Sequence, residues 1–330
     1  MKKSPARVYQ PTPRNLAALG KRLARGELVA APTETVYGLA GNALSARSAK
    51  AIFKAKGRPA TDPLIVHIAT IRQLELVARP NAEALALARA FWPGPLTLIL
   101  PKTDLVPPEV TSSGESVAVR MPAHPLFLAL IRHAGVPLAA PSANPFSYVS
   151  PTTAQHVVDG LGQKIAHILD GGPSAIGVES TIIDLRNPRR PVLLRPGAIS
   201  AAEVARVLKR PVATRRRSTA KTAPLVAPGL LPRHYSPKTR VVLHPTLTVK
   251  AARKGPASEA WVFQRSPRKA EANWFGLDPT GALEGAAHSL FATLRRLDQA
   301  GFTLIHVELA KGSAGLAAAI NDRLKRAAAR

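Results

Sequence analysis

The sequence predicts an α/β protein built in two parts, a mixed α/β unit over residues 1–210 and a smaller α/β unit over residues 239–330. Short apolar strand patterns alternate with amphipathic helix patterns through both parts. Between them, residues 211–238 contain five prolines and no apolar periodicity, which predicts a linker or an extended arm. At 330 residues the chain is longer than most single cores, although one large α/β domain is the competing interpretation.

The larger unit opens with a helix followed by a strand. Thr12 and Pro13 form a helix start and Gly26 forms a helix stop. The buried strand ELVAAP follows, and Ser45 caps a second helix that closes at Gly57. The other strands are predicted at PLIVHIA, LTLILP, SVAVRMP, VPLAAP, KIAHILD, STIIDL and PVLLRP, and the other helices at IRQLELVA, NAEALALARAFW, residues 124–134, residues 152–160 and AAEVARVLK, which follows the capping box of Ser200 and Glu203.

The smaller unit alternates strands with helices. Strands are predicted at TRVVLH, near AWVFQ and at TLIHVELA, with helices at ALEGAAHSLFATLRRLDQAG and GLAAAINDRLKRAAAR. Because strand, helix, strand and helix follow one another, this part is expected to form a small parallel-sheet layer.

Composition is typical of a soluble globular protein, with 46% apolar and 20% charged residues. No apolar run approaches the ~18 residues that span a bilayer, and the basic start MKKSPARVYQ is not followed by the apolar region of a secretory signal. We therefore expect a cytoplasmic protein with no membrane partner. The absence of cysteine excludes disulfides, thiolate zinc sites and cysteine nucleophiles, and the nine histidines show no metal-ligand spacing.

The chain is strongly basic, with a formal net charge of +26. Residues 204–258 carry 13 Lys and Arg residues and no Asp or Glu, so half of the excess lies in one sixth of the chain. Such an excess suits a polyanionic partner such as RNA, or phosphorylated substrates. A solvated basic stretch without a partner is the alternative.

Polar clusters follow several of the apolar strands, whereas the common phosphate-loop, dinucleotide, zinc-protease and serine-hydrolase signatures are absent. Ligands of open α/β sheets bind outside the carboxyl ends of strands. The clusters supply four cations, Lys56, Arg58, Arg120 and Arg195, together with the hydroxyl and amide groups of Thr33, Thr35, Ser142, Asn144, Ser150, Ser180 and Thr181. These groups fit a nucleoside triphosphate beside a small polar acid, because displacement at phosphorus needs charge neutralisation and positioning more than a protein nucleophile.

Each cluster also has a purely structural interpretation. Thr33 and Thr35 are suited to hydrogen-bonding their own backbone at a strand exit, and residues 150–152 are a helix N-terminus signal. Lys56 and Arg58 also suit the C-terminal dipole of a helix. The recurrence of such clusters after successive strands favours a site over these separate explanations.

Ten motifs, in order along the chain, resemble the YrdC-like domain of threonylcarbamoyl-AMP synthases: PTETVYGLAG, KAKGRP, PLIVHIA, FWPGPLTLIL, VAVRMPAHP, APSAN, SPT, DGG, GVESTIID and LLRPG. APGLLPRHYSP and AAINDRLKRAA resemble the longer, two-domain members. The resemblance implies a twisted mixed-sheet YrdC-like catalytic domain over residues 1–210, a linker or lid arm over 211–238, and a smaller Rossmann-like α/β domain over 239–330. It also implies condensation of L-threonine, bicarbonate and ATP into threonylcarbamoyl-adenylate and pyrophosphate, which leads to threonylcarbamoyladenosine in tRNA.

Matching motif positions imply a role for individual residues. Threonine would be held by Thr35, His67, Arg120, Ala140 and Ser180. ATP would be held by Arg58, Asp62, Ser116, Ser142, Ser150, Arg195 and Tyr235. The quartet that marks the active site of this family corresponds to Lys56, Arg58, Ser142 and Asn144. Mg²⁺ would accompany ATP, with no residue assigned as its ligand, and Arg233, His234 and Tyr235 would form a lid.

The resemblance also concerns partners. Proteins that transfer the threonylcarbamoyl group would receive the product, and tRNA is a further possible partner. A double-stranded RNA or tRNA-binding module without catalysis is the alternative, and a third interpretation is a carbamoyl-transfer domain resembling those of hydrogenase maturation factors, although their zinc-finger cysteines are absent here. Two positions depart from the family pattern: Asp62 stands where many members have Asn, and Ser147 stands where Gly is common.

Overall fold

The computed structural model describes residues 5–214, 226–229, 231–269 and 271–329. The described residues form two sheets, one with eleven strands and one with four. Residues 215–225 and 230, which belong to the predicted arm, lie outside the described residues.

The larger sheet is mixed, as predicted. Its strands are β1 (Arg7–Tyr9), β2 (Val29–Pro32), β3 (Tyr37–Asn42), β4 (Ile65–His67), β5 (Leu96–Pro101), β6 (Ser116–Arg120), β7 (Leu138–Ala139), β8 (His167–Leu169), β9 (Thr181–Asp184), β10 (Val192–Arg195) and β11 (Ala213–Thr214). They lie in the order β1-β8-β2-β3-β7-β4-β6-β5-β9-β10-β11. The sheet contains parallel pairs, such as β4 with β6, and antiparallel pairs, such as β5 with β6.

Helices pack against this sheet, and their caps match the sequence signals. They are α1 (Pro13–Ala24), α2 (Ala46–Lys56), α3 (Ile71–Val77), α4 (Ala82–Phe91), α5 (Pro108–Thr111), α6 (Pro125–Ala134), α7 (Ala154–Leu161) and α8 (Ala201–Leu208). Thr12 and Ser45 accept hydrogen bonds from the first turns of α1 and α2, and Gly57 ends α2 in the left-handed conformation. Ser200 and Glu203 form the predicted capping box of α8.

The smaller sheet is parallel throughout, which confirms the prediction. It contains β12 (Arg240–His244), β13 (Glu259–Arg265), β14 (Trp274–Asp278) and β15 (Leu304–Glu308) in the order β12-β15-β13-β14. Its helices are α9 (Val249–Lys254), α10 (Leu283–Gln299) and α11 (Gly315–Ala328). The sequence analysis missed β14, because Gly276 interrupts its apolar pattern. Close packing explains the glycine, since a Cβ atom there would lie 2.1 Å from the Ser266 hydroxyl oxygen.

One apolar cluster joins the two parts of the molecule. Val36, Val149 and Val178 from the larger part pack in the same buried cluster as Leu290 and Phe291 of α10. The smaller part therefore covers apolar surface next to three loops of the larger part, and these loops surround the candidate site described below. In the part of the chain that the structure describes, helices fall short of the length and apolarity needed to cross a bilayer.

Candidate active site

A cavity of about 50 Å³ lies against the ends of several strands of the larger sheet. Much of its wall comes from residues that directly follow or end β2, β4, β6, β7 and β10, and from the segment before β9. Nine of the residues predicted to form the site line it: Thr35, Arg58, His67, Arg120, Ala140, Ser142, Ser180, Arg195 and Tyr235. The polar clusters thus converge, as expected from their positions after strands.

Arg120, at the end of β6, is held in place by three neighbours. Its Nε donates to the Gly94 carbonyl at 3.2 Å, and Nη1 donates to Thr35 Oγ1 at 2.9 Å. Its Nη2 lies 2.6 Å from Glu34 Oε1. Burial alone would raise the pKa of Glu34, but the charge and hydrogen bond of Arg120, together with backbone N–H groups, outweigh burial and lower it. The site therefore holds a charged, oriented guanidinium with its counter-ion.

His67, at the end of β4, is buried beside Arg120. Burial and the Arg120 charge lower the pKa of His67 to about 3, so its imidazole is neutral at neutral pH. Its Nδ1 lies 3.2 Å from the Ile65 carbonyl oxygen. The ring packs 5.2 Å from the ring of Phe127. A neutral ring fixed in this way offers the cavity a hydrogen-bonding group without adding a charge.

Arg58 enters the cavity from the turn after α2, and Asp62 pairs with it. Arg58 Nη2 lies 2.9 Å from Asp62 Oδ1, and its Nε donates to the Asp62 carbonyl at 2.9 Å. A further bond joins Nη2 to the Pro63 carbonyl at 2.8 Å. Burial raises the pKa of Asp62, while the Arg58 charge opposes this rise. Asp62 thus orients Arg58 and does not itself line the cavity.

Lys56 and Asn144 hold the cavity loop from behind. Lys56 Nζ donates to the carbonyls of Ser142 at 2.6 Å and Asn144 at 2.5 Å. Burial and the neighbouring Arg58 charge lower the pKa of Lys56 well below its ordinary value. Asn144 Nδ2 donates to the carbonyls of Pro145 and Tyr148, both at 2.8 Å. Within the marker quartet, Arg58 and Ser142 line the cavity, whereas Lys56 and Asn144 fix the loop.

Arg195 and Ser180 form the opposite wall. Arg195 donates through Nε to the Ser180 carbonyl at 3.0 Å and through Nη2 to Ser180 Oγ at 3.1 Å. The Ser180 hydroxyl also lies 2.7 Å from Thr97 Oγ1 on β5. The end of β10 and the start of β9 are therefore fixed to each other at the cavity.

Glu179 lines the cavity and was missed by the sequence analysis. Its Oε1 accepts a hydrogen bond from Ser150 Oγ at 2.5 Å, and its Oε2 lies 2.9 Å from Arg323 Nε. Ser150 itself does not line the cavity. The available signal was a carboxylate directly before the predicted site residue Ser180 in a basic chain.

The end of the predicted arm covers the cavity. Pro228, Gly229, His234 and Tyr235 all contribute to the lining, and Arg195 Nη1 lies 3.5 Å from the Pro228 carbonyl oxygen. Burial and the charges of Arg58, Lys56 and Arg195 lower the pKa of His234 well below its ordinary value. With the arm in this position the cavity is far smaller than the ~300–1,000 Å³ of typical ligand pockets.

Ser116 lies at the end of its strand that is remote from the cavity. It begins β6, whereas Arg120 ends that strand, and it does not contribute to the described lining. Alternation along β6 places Ser116 on the same face as Arg120. Its contact with ATP stays a prediction.

Comparison with known proteins identifies relatives for nearly the whole chain. Residues 21–197 match the Sua5/YciO/YrdC family model, described as "Telomere recombination", and residues 199–329 match a model described as "Threonylcarbamoyl-AMP synthase, C-terminal domain". A threonylcarbamoyl-AMP synthase of Pyrococcus abyssi is 43% identical over 322 residues, covering 92% of this chain and 90% of the relative. The chain belongs to the Sua5/YciO/YrdC family.

Two further comparisons support this membership of the Sua5/YciO/YrdC family. A threonylcarbamoyl-AMP synthase of Bacillus subtilis is 49% identical over 224 residues, covering 67% of this chain and 64% of the relative. The crystal structure of P. abyssi Sua5 complexed with L-threonine superimposes with a TM-score of 0.90 at 38% identity, covering 98% of each chain. The two-part α/β fold predicted from the sequence is thereby confirmed.

The two departures from the Sua5/YciO/YrdC pattern have local consequences. Asp62 forms the buried ion pair with Arg58, so the negative charge of Asp62 is paired within the protein. Ser147 adopts a left-handed φ of 63°, the conformation that favours glycine, and its carbonyl accepts a hydrogen bond from the Ser236 amide at 2.8 Å. The strained turn therefore supports the arm directly.

Proposed function

We propose that this chain is a threonylcarbamoyl-AMP synthase that condenses L-threonine, bicarbonate and ATP into threonylcarbamoyl-adenylate and pyrophosphate. The observation that carries the proposal is the convergence of Arg58, Arg120 and Arg195, from three separate elements, on one cavity. Its relatives bear this name at 43% and 49% identity. Three arginines suit a substrate pair that brings a triphosphate and a carboxylate together.

The threonine side of the cavity is proposed to consist of Thr35, His67, Arg120, Ala140 and Ser180. Arg120 would pair with the threonine carboxylate through the N–H groups that its three present contacts leave free. The neutral His67 ring and the Ser180 hydroxyl would hydrogen-bond the remaining polar groups of threonine. The related P. abyssi protein was crystallised with L-threonine, which supports threonine as a ligand of this chain.

The ATP side is proposed to consist of Arg58, Asp62, Ser116, Ser142, Ser150, Arg195 and Tyr235. Arg58 and Arg195 would offset the phosphate charge, with Asp62 and Ser150 acting through Arg58 and Glu179. Mg²⁺ is proposed to enter with ATP. No cluster of three or more acidic or histidine side chains suited to a metal occurs among the described residues.

The proposed chemistry depends on positioning. Bicarbonate loses hydroxide to give carbon dioxide, and the hydroxide takes up the proton lost from the threonine ammonium group to form water. The neutral amine then adds to carbon dioxide and releases its second proton to solvent, which gives a carbamate. A carbamate oxygen then attacks the α-phosphorus, and pyrophosphate leaves. The described site residues need supply no nucleophile, because joining three small reactants is chiefly an entropic task. Lys56 and Asn144 serve it by fixing the loop that carries Ser142.

The arm is proposed to act as a lid. A cavity of about 50 Å³ leaves little room for a triphosphate, so we expect Pro228, Gly229, His234 and Tyr235 to move when ATP enters. Closing again would exclude water from the activated intermediates. The division into a catalytic domain (1–210), this arm (211–238) and a small C-terminal domain (239–330) is part of the same proposal.

The product is proposed to pass to proteins that transfer the threonylcarbamoyl group to tRNA, with a cytoplasmic location following from that role. Direct contact with tRNA is also proposed. Several cations of the acid-free stretch are exposed, namely Arg233, Lys238, Arg240, Lys250, Arg253 and Lys254.

The proposed activity is tested by measuring pyrophosphate release from ATP with threonine and bicarbonate added singly and together. Release is expected only when both are present. Release that is independent of threonine would contradict the proposal. Retention of RNA without any nucleotide turnover would instead favour the alternative of a non-catalytic RNA-binding module.

A further inference from the structure

Helix α11 carries an arginine from the smaller part of the molecule to the rear of the cavity. Arg323 is fully buried, and its Nε lies 2.9 Å from Glu179 Oε2. Its Nη2 donates to the Glu179 carbonyl at 3.2 Å and its Nη1 to the Pro196 carbonyl at 2.9 Å. One guanidinium thus fixes two separate segments of the larger part.

Both segments continue directly into the cavity wall. Glu179 lines the wall and precedes Ser180, and Pro196 follows Arg195. The guanidinium carbon of Arg323 also lies 5.5 Å from the ring centre of Tyr235, which lines the wall from the arm. The three wall segments therefore meet at one side chain.

The Glu179 carboxylate connects Arg323 to Ser150 through hydrogen bonds. One carboxylate oxygen faces Arg323 while the other accepts the Ser150 hydroxyl at 2.5 Å. Arg323, Glu179 and Ser150 therefore form a continuous chain of hydrogen bonds from α11 to the loop before α7. Asp322 Oδ2, 3.0 Å from Arg323 Nη1, limits the freedom of the guanidinium on its outer side.

We propose that Arg323 is a positioning residue for the nucleotide side of the cavity, an inference that rests on the proposed function. By binding Glu179 and Pro196 at once, it sets the separation between the wall that carries Ser150 and the wall that carries Arg195. A lysine has a single ammonium group in place of the planar fork and cannot span both segments with the same geometry. The smaller part of the molecule thus completes the ATP site through a residue that does not touch ATP.

A purely structural role for Arg323 makes a different prediction. If Arg323 only ties the two parts together, its loss lowers stability and leaves substrate dependence unchanged. A positioning role is expected to affect ATP more than threonine, because the contacts of Arg323 lead to Ser150 and Arg195 on the nucleotide side, whereas on the threonine side they adjoin Ser180 alone.

The test compares Arg323→Met and Arg323→Lys with Ile305→Ala. Ile305 is fully buried in β15 and does not itself line the cavity, so its truncation chiefly destabilises the smaller part. The initial rate of pyrophosphate release is measured against ATP and against threonine, alongside thermal unfolding. Arg323→Met is expected to raise KM for ATP about tenfold or more, the range seen when groups supporting a site are removed. KM for threonine is expected to change by less than about threefold.

Two outcomes overturn the inference. One is an unchanged KM for ATP in both Arg323 variants while the wild type is active; the other is an equal rise in KM for ATP in Ile305→Ala. Should Arg323→Met fail to fold, the test rests on Arg323→Lys alone. This variant is expected to raise KM for ATP, and a wild-type KM would contradict the role of the Arg323 guanidinium. The double variant Glu179→Gln/Arg323→Met is expected to regain thermal stability, because no buried charge is left unpaired, without regaining the wild-type KM for ATP. An inactive wild type would instead contradict the proposed function.

Discussion

Glu34 Oε1 lies 2.6 Å from Arg120 Nη2, so the cation proposed for the threonine carboxylate already has a counter-ion in the protein. This pair holds the buried guanidinium in a fixed orientation before threonine arrives. Threonine then adds a second carboxylate to a guanidinium whose direction is fixed by Thr35 and Gly94. Binding therefore depends on the geometry of the fork as well as on its charge.

Arg120→Lys is expected to raise KM for threonine by about 10- to 100-fold, because a lysine keeps the charge but loses the bidentate geometry. KM for ATP is expected to change much less. Rates of pyrophosphate release at varied threonine measure this difference. Arg186→Lys, at an exposed ion pair with Asp184, is the matched control. A threonine KM in Arg120→Lys equal to that of the control would remove Arg120 from the threonine site.

Asp62→Asn restores the residue that is common at this position and removes one negative charge beside Arg58. The amide oxygen can take the position of Asp62 Oδ1, which lies 2.9 Å from Arg58 Nη2, so the side chain is expected to keep its place. Because the net positive charge near the phosphates rises, KM for ATP is expected to fall by about two- to fivefold at low salt. Asp184→Asn serves as the control. An increase in KM for ATP would show that the Asp62 charge is required.

Gly229→Ala tests whether close packing of the arm over the cavity matters for turnover. Gly229 has a φ of 73°, and a Cβ atom there would lie 2.8 Å from the Tyr235 hydroxyl oxygen and 3.0 Å from Arg195 Nη1. Gly301→Ala is the matched control, because Gly301 has a φ of 80° and a Cβ atom there would meet nothing within 4 Å. Both variants bear similar backbone strain, but Gly229→Ala alone is expected to lower kcat/KM, by about tenfold. Equal rates in the two variants would count against the lid.

The stability of the fold is expected to depend on the protonation of His67. Its pKa is about 3 in the folded protein and about 6.5 in the unfolded chain, so the unfolded chain binds the proton more readily between these values. The contribution of His67 to stability is present above pH 6.5 and is lost as the pH falls towards 3. His67→Gln is expected to flatten the decline of the unfolding midpoint between pH 7 and pH 4, whereas His133→Gln, at an exposed position, leaves it unchanged. A decline as steep as that of the wild type would contradict a buried neutral His67.

Helix ends and the sheet class could be predicted because their signals are local. Thr12, Ser45 and Gly57 act within a few residues of their positions, and the structure confirms all three. Strand β3 was missed because small residues interrupt its pattern in YGLAGN and nearly all of its residues are buried, so no alternation appears. Local sequence patterns therefore identify capped helices and apolar strands better than buried strands of small residues.

The sequence could predict which residues form much of the site but not the directions in which their side chains point. The clusters after strands identified Arg58, Arg120 and Arg195, which meet at the cavity. Sequence could not indicate that Lys56 turns away to hold the carbonyls of Ser142 and Asn144. Glu179 and Arg323 were also missed, because their 2.9 Å contact joins residues 144 positions apart and exists only after the two parts pack together.

The measurement that tests the central claim most directly is the transfer of carbon from labelled bicarbonate into an adenylated product. The wild-type protein is expected to incorporate the label only when ATP and threonine are both present, with one pyrophosphate released for each labelled carbon. Arg58→Ala and Arg120→Ala are each expected to abolish incorporation, because each removes one of the converging cations. ATP consumption without threonine-dependent incorporation of the label would contradict the account.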